Sequence, residues 1–586
     1  MLINNHQTIK TDVLIIGSGG AGLRAAIEVK LKGLSVQVLG KRSKTDAHTV
    51  LAAGGINAAL GNKDYEDSWK QHFVDTFLDG YEIGNADQIE IMAKEAPILV
   101  KEIDKWGANF EKLYNGKLDQ RYFGAHQYRR TCYSGDYTGL SILNALLRKS
   151  EELDVTISDS EYVSDLLLED QTCFGAMSFN TVSLERTVYL AKAVILCTGG
   201  HTKLWKRSSS RGGENTGDGY HLALKAGCEL IDMEMVQFHP SGMLFPEEMA
   251  GSLVTEAVRG EGGLLFNNKG ERFMINYDRE RMELSTRDKV TMANYNEIMQ
   301  GRGTKNGGVY LDISHLDKGK ILRKIPKIYK QFLESQMLDI SKEPMEVAPT
   351  AHYSMGGIIV NAYSNSTQVK GLYAAGEVAG GLHGANRLGG NSLTEILVSG
   401  RRAGIYSAEY SKTIDSPVIS RKAINKAHQN INKFYTRGII NPQSLQDTLG
   451  EVMWESCGVI RNKKSLLTAL NKIRLLKENL KNLNVIVQKD HCNDLINALN
   501  LESSLITAEA TVISAIERKE SRGANQRSDY PSLSLLKKYN IKTCFNIENK
   551  SLEINKVSVK DLKKELQDFL NKVSVKKISE ENKLIE

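Results

Sequence analysis

The apolar positions of the chain fall into runs of two periods. Residues 12–16, DVLII, form a short continuous apolar stretch closed by Gly17, which predicts a parallel strand buried on both faces. Residues 21–33, AGLRAAIEVKLKG, carry helical spacing and stop at a glycine, and LSVQVL then predicts a second strand. Two later segments, AKAVILCTGG (191–200) and VKGLYAAGEVAGG (369–381), read as further strand ends running into glycines. Between them, from about 240 to 350, short mixed elements rich in charge suit a domain inserted into the first. From about 405 onward the pattern turns helical and lysine-rich, as in LLTALNKIRLLKENLKNL and VSVKDLKKELQDFLNKV, predicting a helical domain and a small tail.

Composition narrows the class. A length of 586 residues exceeds what one hydrophobic core supports, and 41% apolar residues suffice to fill several, which excludes a disordered chain. The net charge of +6 comes without an aromatic-interleaved basic stripe, so nucleic acid is not an expected partner. Seven dispersed cysteines, with no C-x-x-C pair, give no zinc or iron–sulfur ligand set and suit a reducing compartment. The polar start NNHQTIKTD lacks the layout of a signal peptide, and no apolar run approaches the roughly 20 residues that span a bilayer. The expectation is a cytoplasmic chain without a metal of its own, docked on other subunits.

The first candidate chemistry is GSGGAG, with Gly17, Gly19, Gly20 and Gly22 between a strand and a helix. Glycines in that register let the backbone turn tightly and approach a pyrophosphate, which the helix amino terminus stabilises. NAD binding calls for an acid at the end of the second strand, but VQVLGKRS puts Gly40, Lys41 and Arg42 there. FAD remains, with Lys41 near the adenylate or simply solvated. Asp218 in GENTGDGYHLALKAG and Glu377 in AAGE are candidates to accept ribose or ribityl hydroxyl hydrogen bonds, or to cap their own turns.

A second constellation is cationic. His239 in QFHPSG, Arg287 in STRDK, His352 in TAHYSMGG and Arg387 in HGANRLGGNSL each stand among small residues. Together they make a pocket for a small dianion, because arginine recognises carboxylate bidentately and histidine donates a further hydrogen bond. SLVTEAVRGEGG adds Thr255, Glu256 and Arg259, able to bond a carboxylate and to orient an arginine by an ion pair. SKTDAHTVLAAGGINAALG places His48 and Thr49 ahead of Gly54 and Gly55, in backbone that a planar ring can lie against.

These motifs, in the order DVLIIGSGGAG, AHTVLAAGGINAALGN, RRTCYSGDYTG, QFHPSG, TEAVRGEGG, RGTKNGGVYLDISHL, PTAHYSMGGI, LHGANRLGGNSL and ESRGANQRSDYP, resemble those of the succinate dehydrogenase and fumarate reductase flavoprotein subunits over residues 10–535, with L-aspartate oxidase as the nearest relative. The resemblance implies an α/β chain with a Rossmann-like FAD-binding domain (1–240 and 353–410), an inserted α+β capping domain (241–352), a helical domain (411–535) and a tail region (536–586). It implies that FAD is bound covalently through His48, a histidine missing from aspartate oxidases, with Ser392 and Leu393 also at the cofactor. His239, Thr255, His352 and Arg387 would hold a C4 dicarboxylate while hydride passes between a substrate carbon and flavin N5. Arg287 would move the proton with Glu256 and Arg259 behind it; since a free arginine is a poor base, a purely electrostatic Arg287 with a water as acid is the alternative. The implied partners are an iron–sulfur subunit and a membrane quinone anchor, which would make the chain peripheral on the cytoplasmic face. Two departures stand out: Ser241 where the family has threonine, and Ala53 where it has glutamine or glutamate, which leaves the direction of catalysis open. A catalytically silent FAD-binding scaffold would not need the cationic residues.

Overall fold

A computed structural model of the chain describes residues 5–573 except 417–419, 489–491, 535–537, 547 and 550. The end of the tail region, 574–586, and the first four residues of the amino-terminal segment lie outside the described residues. The strand Gln7–Ile16 is the axis of a seven-stranded sheet. It pairs in parallel with Val36–Leu39 on one side and with Arg186–Leu196 on the other. Val13, Leu14 and Ile15 are fully buried, each contributing roughly 1.5–3 kcal/mol of transfer free energy as an upper estimate. That burial on both faces is why the run is continuously apolar rather than alternating. The sheet continues outward through Thr156–Ser158 at one edge and through the antiparallel strands Thr172–Asn180 and Glu161–Glu169 at the other. Leu372–Ala374 returns to pair in parallel with the carboxyl end of Arg186–Leu196. Three strand ends, at Gly17, Gly199 and Gly376, therefore meet at one edge of the sheet, each with a left-handed or otherwise positive φ.

The inserted segment forms its own antiparallel sheet, in the order Val236–Met243, Met345–Ser354, Val309–Asp312 and Leu264–Phe266. The first two strands are the stem by which it leaves and re-enters the large sheet's domain. Helices Arg421–Asn432, Pro442–Ser456, Lys463–Asn479 and Asn493–Glu517 pack into one apolar core. The last of them carries Asn500, Ser504 and Thr507 to the loop ahead of helix Asp218–Ala226, where Ser504 and Thr507 donate to the Thr216 and Gly217 carbonyls.

In the tail, the segment VSVKDLKKELQDFLNKV is helical from 564, and the stretch ahead of it, for which the sequence predicts no element, forms strands. Tyr539–Asn546 and Ser551–Ser558 form a hairpin that joins Leu230–Ile231 and Gly357–Ile358 in a four-stranded sheet, and among the described residues of the tail only 564–573 are helical. Strand Ser551–Ser558 alternates exposed and half-buried positions along its first half, which marks it as a period-two element.

Candidate active site

One cavity runs from the glycine turn to the cationic constellation. At its first end, Gly17 has φ 117° and a Cβ there would stand 2.1 Å from the Cys197 carbonyl oxygen, while a Cβ on Gly22 would stand 1.9 Å from the Gly17 carbonyl oxygen. Only glycine allows the first strand, the turn and helix Gly20–Leu31 to close on each other. That helix has no side-chain cap at Gly19 and no acid in its first turn; the Gly20 N–H donates to Thr49 Oγ1 at 3.1 Å. Ser18, Gly19, Gly20 and Ala21 line the cavity, so the positive helix end faces it as a pyrophosphate would require.

Lys41, at the end of the second strand, is anchored rather than free. Its Nζ lies 3.3 Å from Asp218 Oδ2 and donates to Asn500 Oδ1 at 2.8 Å, and all but Asn500 line the cavity. Glu377 is half-buried and accepts from the Ser354 N–H at 2.9 Å, with loss of solvation holding its carboxyl above the usual carboxylate range. Gly54 and Gly55 lie on the wall; Cβ atoms there would meet Phe123 at 2.5 Å and Thr131 at 2.4 Å. Ala53 is buried beside them. Ser392 and Leu393 open the helix Asn391–Ser411, whose cap residue Gly390 gives no side-chain bond, so a second helix amino terminus faces the cavity. Two uncapped helix ends and a wall that admits no Cβ fit FAD, whose diphosphate and ring carbonyls are the acceptors such ends stabilise.

His48 stands between the two ends, with 31% of its side chain open. Its Nδ1 lies 3.0 Å from Glu214 Oε2, a contact that sequence reasoning missed. Burial opposes a charge on the ring, but Glu214 outweighs it and raises the imidazole above its ordinary range. Glu214 itself is brought to about 2: burial acts to raise it, and His48 and Arg211 together overcome that.

The far end is built from side chains of five separate segments. Arg287, the first residue of helix Arg287–Glu297, donates from Nε to Glu256 Oε2 at 2.7 Å and from Nη1 to Gln237 Oε1 at 3.0 Å. Arg387 donates from Nη2 to that same Gln237 oxygen at 3.0 Å, stacks 4.2 Å over the Tyr353 ring, and keeps a buried Nε with no partner. Burial, then Arg287, lowers the Arg387 guanidinium to about 10. His239 Nδ1 lies 3.2 Å from both the backbone nitrogen and the carbonyl oxygen of Ser241. His352 Nδ1 is bonded to Ser209 Oγ at 2.9 Å, and the two rings meet edge-on at 5.3 Å. Burial first, and the neighbouring cations after it, hold both imidazoles well below their ordinary value, so both are neutral. Thr255 lines the cavity and its Oγ1 accepts from the Ala257 N–H. Glu256 also accepts from the Gly124 N–H at 3.0 Å and is brought to about 2, burial being outweighed by Arg287 and Arg259.

Arg259 is buried behind Glu256, donates from Nη1 to the Glu283 carbonyl at 2.5 Å, and leaves Nε and Nη2 unpaired. No described hydrogen bond joins it to Glu256, so its link to that carboxylate is through charge alone. Arg287 is bonded to Glu256, while Arg259 and Arg387 feel it through charge and have Glu283 and Glu377 as further acidic neighbours; the unpaired guanidinium nitrogens of Arg259 and Arg387 leave buried donors that an anionic ligand suits. The residue missed here is Gln237, which sits two positions before His239 on the same strand. The period of two that places both side chains on one face was the available signal.

Comparison with known proteins places these features in a family. Residues 12–393 match the family model described as FAD binding domain, and residues 446–575 match that described as fumarate reductase flavoprotein C-term. The second match carries the likeness past residue 535, where the motifs end. The chain is 45% identical, over 90% of its length and 95% of the relative, to a subunit of the fumarate reductase (CoM/CoB) of Methanothermobacter marburgensis. It is 37% identical, over 89% of its length and 90% of the relative, to the succinate dehydrogenase flavoprotein subunit of Rickettsia bellii. Among solved structures, the FrdA chain of Escherichia coli quinol fumarate reductase superposes with a TM-score of 0.90 at 32% identity, covering 95% of this chain and 98% of that one. The Mycobacterium smegmatis Sdh1 chain, in complex with UQ1, gives 0.85 at 38% identity, covering 95% of each.

Proposed function

The chain belongs to the succinate dehydrogenase and fumarate reductase flavoprotein family, and from that premise we propose how its residues divide the work of interconverting succinate and fumarate. It is a flavin-dependent oxidoreductase acting on a CH–CH bond. The observation that carries the assignment of its site is the pair Arg287 and Arg387 bridged by one Gln237 oxygen, buried at the end of the FAD cavity beside two neutral histidines. FAD, when bound, supplies the two-electron chemistry.

Arg387, with its free Nε, takes one substrate carboxylate; His239, His352 and Thr255 donate to the other. Neutral imidazoles suit this task, because they donate a hydrogen bond without adding a charge that the dianion's departure would leave exposed. Arg287 faces the substrate carbon that gains or loses a proton. Glu256 fixes its Nε and, as a carboxylate held at about 2, is the acceptor through which Arg287 recovers or passes that proton. Arg259 acts on Glu256 by its field. Gly17, Gly19, Gly20, Gly22, Lys41, Thr49, Gly54, Gly55, Asp218, Glu377, Ser392 and Leu393, all on the cavity wall except Gly22, would hold the cofactor, and His48 would be its point of covalent attachment. The domains run 1–240 with 353–410, 241–352, 411–535 and 536–586.

No helix among the described residues is long and apolar enough to cross a membrane. Electrons pass to an iron–sulfur subunit and a membrane quinone anchor, and the chain sits on the cytoplasmic face through them. The test is reduction of an artificial dye with succinate, and reoxidation of the reduced protein with fumarate, both blocked by malonate. A chain that instead oxidised aspartate, or bound FAD and did neither, would overturn the assignment.

A further inference from the structure

The His48–Glu214 contact belongs to a larger clamp. Glu214 Oε2 is bonded to His48 Nδ1, while Glu214 Oε1 accepts from Arg211 Nη2 at 2.6 Å. Arg211 reaches back across the cavity mouth to the loop that carries His48: its Nη2 donates to the Asp46 carbonyl at 2.7 Å and its Nη1 pairs with the Asp46 carboxylate. Arg42 Nη2 closes the ring on that carboxylate at 2.6 Å. The Glu214 side chain is 7% exposed and, like His48, lines the cavity. Two residues of one loop, 46 and 48, are thus gripped by two residues of another, 211 and 214.

The chemistry of that grip is directional. A carboxylate accepts only, so the hydrogen shared with it sits on His48 Nδ1. In the neutral imidazole, the form that attacks, the lone pair is then on Nε2, which no described hydrogen bond engages. We propose that Glu214 is the positioning residue for flavin attachment: it fixes the His48 tautomer and ring orientation so that Nε2 is presented to the cavity as a nucleophile, and it balances the charge that attachment creates. This rests on reading His48 as the attachment residue. Attachment forms a bond from Nε2 to the 8α carbon of the flavin and breaks one C–H bond there, with loss of the proton. The electron pair of that C–H bond stays in the flavin ring system and is removed, with two protons, by reduction of fumarate to succinate. An imidazole alkylated at Nε2 while Nδ1 keeps its hydrogen is a cation, and the Glu214 carboxylate 3.0 Å away is its counter-ion. The raised imidazole and lowered carboxyl of this pair agree with a partnership that favours charge on both members.

Four proteins test this: the unaltered chain, His48→Ala, Glu214→Gln and Glu214→Asp. Each is purified with FAD, and covalent flavin is measured by ultraviolet fluorescence of the denatured protein band and by intact mass, against total FAD released by proteolysis. The unaltered chain should hold its flavin through denaturation and His48→Ala should bind FAD but release all of it. Glu214→Gln should bind FAD at the same stoichiometry but attach it about tenfold or more slowly, the usual loss when a buried partner that orients a histidine is removed. Glu214→Asp should recover part of the rate, because it keeps the charge at a longer reach. Attachment at the unaltered rate in Glu214→Gln would overturn the role of Glu214 alone. Complete release of flavin from the unaltered chain would overturn the attachment reading itself, and the two results cannot be confused.

Discussion

The two ends of the cavity are built on different principles. At the nucleotide end the contacts come from backbone: a turn, two uncapped helix amino termini and a glycine wall, in which side chains matter chiefly by being absent. At the end proposed for the substrate the backbone is scaffold, and the groups that line the cavity are the side chains of Arg287, Arg387, His239, His352, Thr255 and Glu256, delivered by five segments. The first end is local and rigid, so one substitution breaks it completely. The second is a charge network, in which a substitution costs in proportion to the number of partners it leaves unpaired.

The sharpest way to expose that difference is Gly22→Ala. Its Cβ would fall 1.9 Å from the Gly17 carbonyl oxygen, backbone that has no room to yield. The purified variant should carry essentially no FAD and no activity, measured by its visible spectrum. Arg287→Gln should do the reverse, keeping FAD at full stoichiometry while turnover falls by about three orders of magnitude or more, since a group placed to act on the reacting atoms is lost. Near-normal turnover with Arg287→Gln would mean that a water carries the proton and that Arg287 is only a charge.

The same difference decides how much is legible in the sequence. A glycine turn between a strand and a helix is contiguous in the chain, so the amino-acid order alone places Gly17 to Gly22 and the first two strands. His239, Arg287, His352 and Arg387 are far apart in sequence and stand out by type and by the family resemblance; nothing in spacing says that Gln237 joins the two arginines. Glu214 escapes notice because a glutamate in a glycine-rich loop has no signature until His48, 166 positions away, is brought to it. Asn500 is hidden for a like reason, since it lies in a helix whose packing on the first domain no local pattern encodes. The tail hairpin is missed because its second strand alternates only over its first half and is exposed along the rest, which leaves a short period-two signal.

An intermediate effect is expected from Gln237→Leu, which removes the oxygen shared by both arginines without adding charge. Two charge-assisted bonds are lost, each worth about 1.5–3 kcal/mol, together with the amide's own donations to Asn386 Oδ1 and the Arg387 carbonyl. The arginines keep Glu256 and Tyr353 as partners, so the loss should be partial: a fall of about ten- to a hundredfold in kcat/KM for succinate, with FAD content unchanged. The effect should fall mainly on KM if Gln237 aims Arg387 and mainly on kcat if it aims Arg287, and steady-state kinetics separate the two. No change in either would show that the arginines are held by the ion pair and the ring stack alone.

The smallest effect on turnover, and the finest test of the comparison, is the response to acid. His239 and His352 are held well below 6.5, chiefly by burial, and so stay neutral as the pH falls through the ordinary histidine range. Affinity for an inhibitor that keeps both negative charges throughout should therefore be flat between about pH 8 and pH 6, where an exposed histidine pair would tighten it by gaining charge. Stability should behave differently. In the unfolded chain these imidazoles take up protons below about 6.5, and in the folded chain they do not, so the unfolded state binds more protons and stability falls as the pH drops through that value. His201 and His221, both held at about 3, act in the same direction, and each such histidine costs up to about 1.4 kcal/mol per pH unit. Melting temperature should thus decline below about pH 6.5 while dianion affinity does not. A binding curve that rises in step with the loss of stability would mean that the histidines of the substrate end charge within the folded protein, and that recognition there rests on four cations rather than on two arginines.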